Sequence, residues 1–135
     1  MAKPEYVIDG EDFSTLEEFY EVVGRTLVPG AAWGHNLNAF NDILRSGFGT
    51  PPDGFVLRWR HARLSSDRLG HEETARQLGL QLARCHPSNQ AQVKDEQRRA
   101  AMGMGPTVYD WLLEIIQRHG PGGRESQDGV DLILE

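Results

Sequence analysis

The sequence predicts an α/β fold, a three-stranded parallel sheet packed with helices, and three observations carry that prediction. Three short apolar runs, Tyr6-Val7-Ile8, Phe55-Val56-Leu57-Arg58-Trp59 and Val130-Asp131-Leu132-Ile133-Leu134, have strand length and begin or end on turn residues. Between them lie segments whose apolar residues recur every three or four positions, the period of a helix with one buried face. Helical crossovers between strands favour parallel pairing, because parallel neighbours need a connection of a dozen or more residues. At 135 residues the chain suits one domain, residues 1–135, since single cores typically take on the order of 100 to 150 residues.

The first strand stops at Asp9-Gly10, a turn pair. Ser14-Thr15-Leu16-Glu17 has capping-box spacing, so a helix is expected from there, with Ser14 as its cap. Leu16, Phe19, Tyr20, Val23 and Leu27 form its buried stripe, Glu17, Glu18 and Glu21 face outward, and Pro29-Gly30 ends it. Trp33-Gly34-His35 reads as a loop into a second helix capped by Asn36, with Leu37, Phe40 and Leu44 buried and Gly47 placed to close it. Asn38, Asn41, Asp42 and Arg45, three or four residues apart, share its polar face.

After the Thr50-Pro51-Pro52-Asp53-Gly54 turn, the near-continuous apolar character of the second strand predicts cover on both of its faces. Residues 61–106 read as a polar, basic insert with helical pieces at 72–84 and 90–101, broken by Met102-Gly103-Met104-Gly105-Pro106. Thr107 with Asp110 at the third position caps a further helix, with Val108, Trp111, Leu112, Ile115 and Ile116 as its stripe and Gly120 as its stop. A Gly-rich connection then leads to the last strand.

Composition narrows the function classes. No apolar run approaches the roughly 18 to 20 residues that span a bilayer, and Met1-Ala2-Lys3-Pro4-Glu5 lacks the apolar stretch of a secretory signal, so no membrane partner and a cytoplasmic location are expected. Cys85 is the single cysteine, which leaves no internal disulfide and no thiolate cluster. The net charge of −6 is unevenly spread. Residues 1–57 carry nine acids against three bases, 58–105 nine bases against five acids, and 106–135 six acids against two bases. Acidic ends steer basic partners and repel nucleic acid, although solvated helix faces account equally for most of these acids. The arginines of the middle alternate with acids and lack interleaved aromatics, so direct nucleic-acid binding is not expected.

The segment Trp33-Gly34-His35-Asn36-Leu37-Asn38-Ala39-Phe40-Asn41-Asp42-Ile43-Leu44 is similar to the aromatic-Gly-x-Asn-Leu-x-Ala-x-x-Asp-x-Leu motif of the barstar family. The three strands and the helix after Thr107 resemble that family as well, so that only the basic middle lies outside the resemblance. It implies a barstar-like α/β fold with an extended helical insert, and a binding protein without catalytic residues or cofactor. Its partner would be a basic ribonuclease or nuclease toxin, occluded one-to-one by the loop and the second helix. By resemblance Trp33, Gly34, His35, Asn36, Leu37, Asn38, Asn41 and Asp42 are the partner-binding residues, and Asp42 stands where the RNA phosphate would bind. Glu114 is the acid nearest a family glutamate contact on the last helix. Asn38 stands where the family has a second aspartate, Asn41 where it has an interfacial tryptophan and Ala32 where it has a tyrosine, which points to a diverged target.

Alternatives stay open at this level. Asp42 also fits a solvated helix residue, Asn36 a cap alone, and Trp33 a half-buried loop anchor. An immunity protein for a toxin other than a ribonuclease fits the asparagine changes. A small metal-dependent hydrolase would have to use His35, His61, His71, His86 and His119, which lack paired ligand spacing and read as scattered surface residues, with no metal expected.

Overall fold

The apolar runs form strands β1 (Glu5–Asp9), β2 (Phe55–Arg60) and β3 (Val130–Leu134) in a computed structural model that describes residues 3–45 and 48–135. The expected stop at Gly47 lies outside the described residues. β2 is central and both neighbours run parallel to it, with Ile8 opposite Trp59 and Leu57 opposite Leu132. Among the described residues six α-helices accompany the sheet: α1 (Leu16–Leu27), α2 (Leu37–Ile43), α3 (Ala62–Arg68), α4 (His71–Leu82), α5 (Gln90–Ala101) and α6 (Val108–Arg118). The expected α/β architecture with a parallel three-stranded sheet is therefore the one observed.

The sheet is covered on one face, which corrects the two-sided cover expected for β2. Phe55, Leu57 and Trp59 are buried while Val56 and Arg58 between them are half-buried. The buried face carries Ile8, Leu57, Trp59 and Val130, joined by Phe19 of α1, Phe40 of α2 and Leu112 of α6. Phe19 stacks on Trp59 with ring centroids 5.4 Å apart and meets Phe40 edge-on at 5.3 Å. The outer face exposes Val7 and Ile133. Ion pairs tie it across the strands instead of a helix: Arg58 bonds both Glu5 and Glu135, and Lys3 bonds Asp131 at 3.0 Å. Long charged side chains lie over apolar flanks while their heads stay wet, so this face tolerates solvent.

The helix starts follow local chemistry with one shift of register. Thr15, not Ser14, caps α1, its hydroxyl accepting from the Glu18 N–H at 3.2 Å while Glu18 accepts from the Ser14 N–H at 2.8 Å. Thr15 and Glu18 repeat the spacing one residue later, and Glu17 is drawn to Arg76 and Gln77 of α4. Thr107 and Asp110 form the full reciprocal box expected at α6.

α4 and α5 pair as a hairpin around Leu78, Val93 and Ala100, and Trp111 of α6 packs against both this cluster and the main core. The hairpin also satisfies backbone donors of the other helices. Glu73 accepts from the Leu16 N–H at 2.9 Å and Thr74 from the Val108 N–H at 2.8 Å. Leading N–H groups of α1 and α6 thus find partners on α4, which welds the basic segment to the sheet's helical layer.

Candidate docking face

The loop from Trp33 to Asn36 is fixed before it reaches solvent. The half-buried Trp33 ring meets Tyr20 edge-on at 5.6 Å and His35 at 4.6 Å. It lies so close to α1 that a Cβ at Gly24 would stand 2.8 Å from its Nε1. Trp33 is thus an anchor whose flank carries His35. His35 has a positive φ of 48° and directs the chain into α2. Asn36 caps α2 as expected, accepting from the Ala39 N–H at 2.8 Å and donating to the Gly34 carbonyl. Gly34, His35, Asn36 and Asn38 are exposed, while Leu37 is half-buried over the core.

The polar residues of α2 divide between two directions. Asn38 faces solvent, but Asn41 turns toward α6, where its Oδ1 lies 2.7 Å from His119 Nε2 and accepts from Arg118 at 3.4 Å. Asp42 keeps about half of its side chain exposed and, among the described residues, its carboxylate pairs with Arg45 alone, at 3.6 Å. Arg45 in turn donates to Glu125 at 2.5 Å. A 3.6 Å exposed pair contributes on the order of 0 to 1 kcal/mol. The Asp42 carboxylate is therefore nearly free to exchange Arg45 for another cation, since Arg45 retains Glu125.

Glu114 stands across a groove of about 290 Å³ whose walls include Asn38, Asn41, Trp111 and Arg118. It is the most exposed acid of this region and pairs loosely with Arg118 at 3.7 Å. The structure thus brings Asn38, Asn41 and Glu114 to one groove, with Asp42 on the helix that forms its wall. A second groove, of about 540 Å³, runs on the other side of Asn36 and Asn38 and is walled by Gln77 and Gln81 of α4 and by Arg84 in the turn after it. These three residues have no counterpart in the sequence-based assignment, because nothing local to α4 and the turn after it reveals that they lie beside a loop some forty residues earlier.

His119 corrects the reading of the histidines as surface residues: it is wholly buried. Its Nδ1 lies 2.6 Å from Asp128 and its Nε2 faces Asn41 and, at 3.5 Å, Glu125. A signal existed in the sequence, since His119 continues the Leu112, Ile115, Ile116 stripe by one further turn.

Two groups of metal-ligand type occur among the described residues, His119 with Glu125 and Asp128, and His61 with Asp9 and Glu11. In both, the two ring nitrogens face different carboxylates, as in a hydrogen-bonded imidazole. A metal ion would have to take one nitrogen and break the contact there, and at Glu125 it would compete with Arg45. The geometry fits ion-paired networks better than ligation.

Fold and face together define a small parallel α/β protein that presents a polar loop and a short helix to solvent. The profile of the barstar (barnase inhibitor) family matches residues 4–98, and the chain belongs to that family, whose members are inhibitors rather than enzymes. A comparison with curated proteins gives no match. The matched span holds the loop, α2 and most of the basic segment 61–106, and ends before α6, Glu114 and β3. No described helix is long and apolar enough to cross a membrane.

Proposed function

We propose that the chain is a protein inhibitor of a ribonuclease, docking one-to-one through the Trp33 to Asp42 region and blocking the basic active site, with no chemistry of its own. The observation that carries this is Asp42, a half-exposed carboxylate on a capped helix inside the family-matched span, with a long ion pair to Arg45 as its one charge partner among the described residues. A ribonuclease lines its cleft with cations that bind phosphate, and a fixed carboxylate meets the same donors. Gly34, His35, Asn36, Leu37, Asn38 and Asn41 surround Asp42 as contact residues, with Trp33 anchoring the loop and Glu114 at the far rim. Residues 1–135 act as one domain, with 61–106 as its insert, and protect the cytoplasm that makes the protein.

A second reading keeps the class and changes the target to another nuclease toxin. It is favoured by the α4 wall beside Asn36 and Asn38, and by Asn41, whose amide is occupied by His119 and Arg118. Affinity capture of nucleases with wild type and Asp42→Ala, followed by inhibition titrations with barnase and with each captured enzyme, separates the two. Wild type is expected to reach full inhibition at one equivalent, and Asp42→Ala to weaken binding at least about tenfold, the loss of a hydrogen bond between charged groups. Inhibition of barnase supports the first reading, and inhibition only of another nuclease the second. Equal binding by the two proteins overturns the role of Asp42, and a wild type that binds no nuclease overturns both readings.

A further inference from the structure

We infer that His119 is a positioning residue for the docking face, holding α2 from beneath so that Asn41 and Asp42 are set before a partner arrives; this rests on the reading of that face as the nuclease-binding surface. A wholly buried imidazole needs a polar partner at each nitrogen, and the partners of His119 come from two other parts of the chain. Asp128, in the connection before β3, lies 2.6 Å from Nδ1 and takes its N–H, which fixes the ring. Asn41 of α2 lies 2.7 Å from Nε2. Its amide presents an oxygen there or, turned about its last bond, an N–H, so the contact holds α2 in either arrangement.

The remaining charged groups around the ring extend the network to the surface by two routes. Glu125 lies 3.5 Å from Nε2 and bonds Arg45, which reaches Asp42. Arg118 of α6 bonds Asn41 and reaches Glu114. Both acids of the face are therefore one arginine removed from the groups that surround one buried ring. α2 has only seven residues, far below the length at which a helix holds itself in water. Its order must come from packing and from this anchor. A face ordered beforehand loses less side-chain freedom on binding, which slows dissociation.

Two isosteric replacements separate positioning from general stability. His119→Gln places an amide near Nε2 and can still reach Asn41, whereas His119→Asn keeps a donor near Nδ1 for Asp128 and gives up the α2 contact. Amide hydrogen exchange of the free protein and dissociation from barnase, or from the nuclease captured above, are measured for both at matched Tm. His119→Asn is expected to speed exchange in α2 while α1 and β2 hold, and to raise the dissociation rate on the order of tenfold. His119→Gln is expected to stay near wild type in both. Unchanged α2 exchange in His119→Asn, equal loosening of all elements, or equal effects of the two variants overturns the inference. If His119→Asn does not fold, Asn41→Ser removes the same contact from the half-buried side and must show the same selective loosening. Selective loosening in a chain that binds no nuclease supports the anchoring of α2 and overturns the nuclease reading alone.

Discussion

The Ser65 hydroxyl accepts from the buried Trp59 indole N–H at 2.9 Å, at the point where α3 meets the end of β2. Trp59 and Ser65 are both wholly buried, so no solvent replaces that bond. A Cβ at Gly10 would stand 2.4 Å from the same hydroxyl and 2.5 Å from the His61 carbonyl, which is why a residue without a side chain sits there. Ser65→Ala leaves the indole donor unpaired and is expected to cost about 1 to 3 kcal/mol. Urea unfolding checks this, and an unchanged midpoint would contradict it. The pairing was not legible in the sequence: Ser65 looks like any polar residue of a basic stretch, and its value comes from a tryptophan whose orientation the sheet decides.

Among the elements, α2 depends most on its cap. Asn36 satisfies the Ala39 N–H, and the helix has only seven residues over which to recover the loss of that bond. Asn36→Ala is expected to cost about 1 kcal/mol and Asn36→Asp close to nothing, because aspartate caps as well as asparagine. Thermal unfolding should place the alanine variant roughly 3 to 5 °C lower, and equal losses in both variants would show that the side chain does more than cap. α2 was legible because its cap and stripe lie within a few residues of each other. α3 was not, for it has no side-chain cap and begins after His61 in the left-handed region, with φ of 54°. It is held from outside: its first N–H donates to the Glu135 carbonyl, and Arg68 bonds the carbonyls of Gly10, Glu11 and Phe13.

For the whole molecule, three carboxyls link stability to pH. Burial pushes Glu73 and Glu17 upward, but hydrogen bonds from Arg76 and Gln77, with the Leu16 N–H at Glu73, outweigh it and leave both below the usual glutamate value. The Glu11 N–H lowers Asp9 against a smaller opposing effect of burial, aided by His61. Acids depressed in the folded state stabilise it fully above their unfolded values, and that stability is lost as pH falls through the folded ones. With ordinary values of 3.8 for Asp9 and 4.5 for the glutamates, urea midpoints should hold above pH 5 and decline below about 4.5. Glu73→Gln should make the decline shallower, and a flat profile from pH 5 to 3 would refute the linkage. The acid surplus at the chain's two ends makes a further prediction for the complex: association with a basic nuclease should slow as salt rises from about 0.05 to 0.5 M, because screening shortens the field that steers the encounter. Stopped-flow mixing measures it, and a salt-independent rate would remove charge from the account of recognition.

The sequence by itself determined the three strands, five of the six helices among the described residues, and the caps at Asn36 and Thr107. All of these rest on interactions within a turn or two of chain, where residue type and spacing are sufficient. Two overlapping capping patterns stood in the sequence at α1, and tertiary structure decided between them, since α4 claims Glu17 and leaves Thr15 with Glu18; it alone decided that one face of the sheet stays open. It also decided that Asn41 turns inward to a histidine 78 positions away, and that Arg45 divides itself between Glu125, held closely, and Asp42, held at 3.6 Å. Such contacts are set by which buried group needs a partner once the chain has closed, and no local pattern of residues records that.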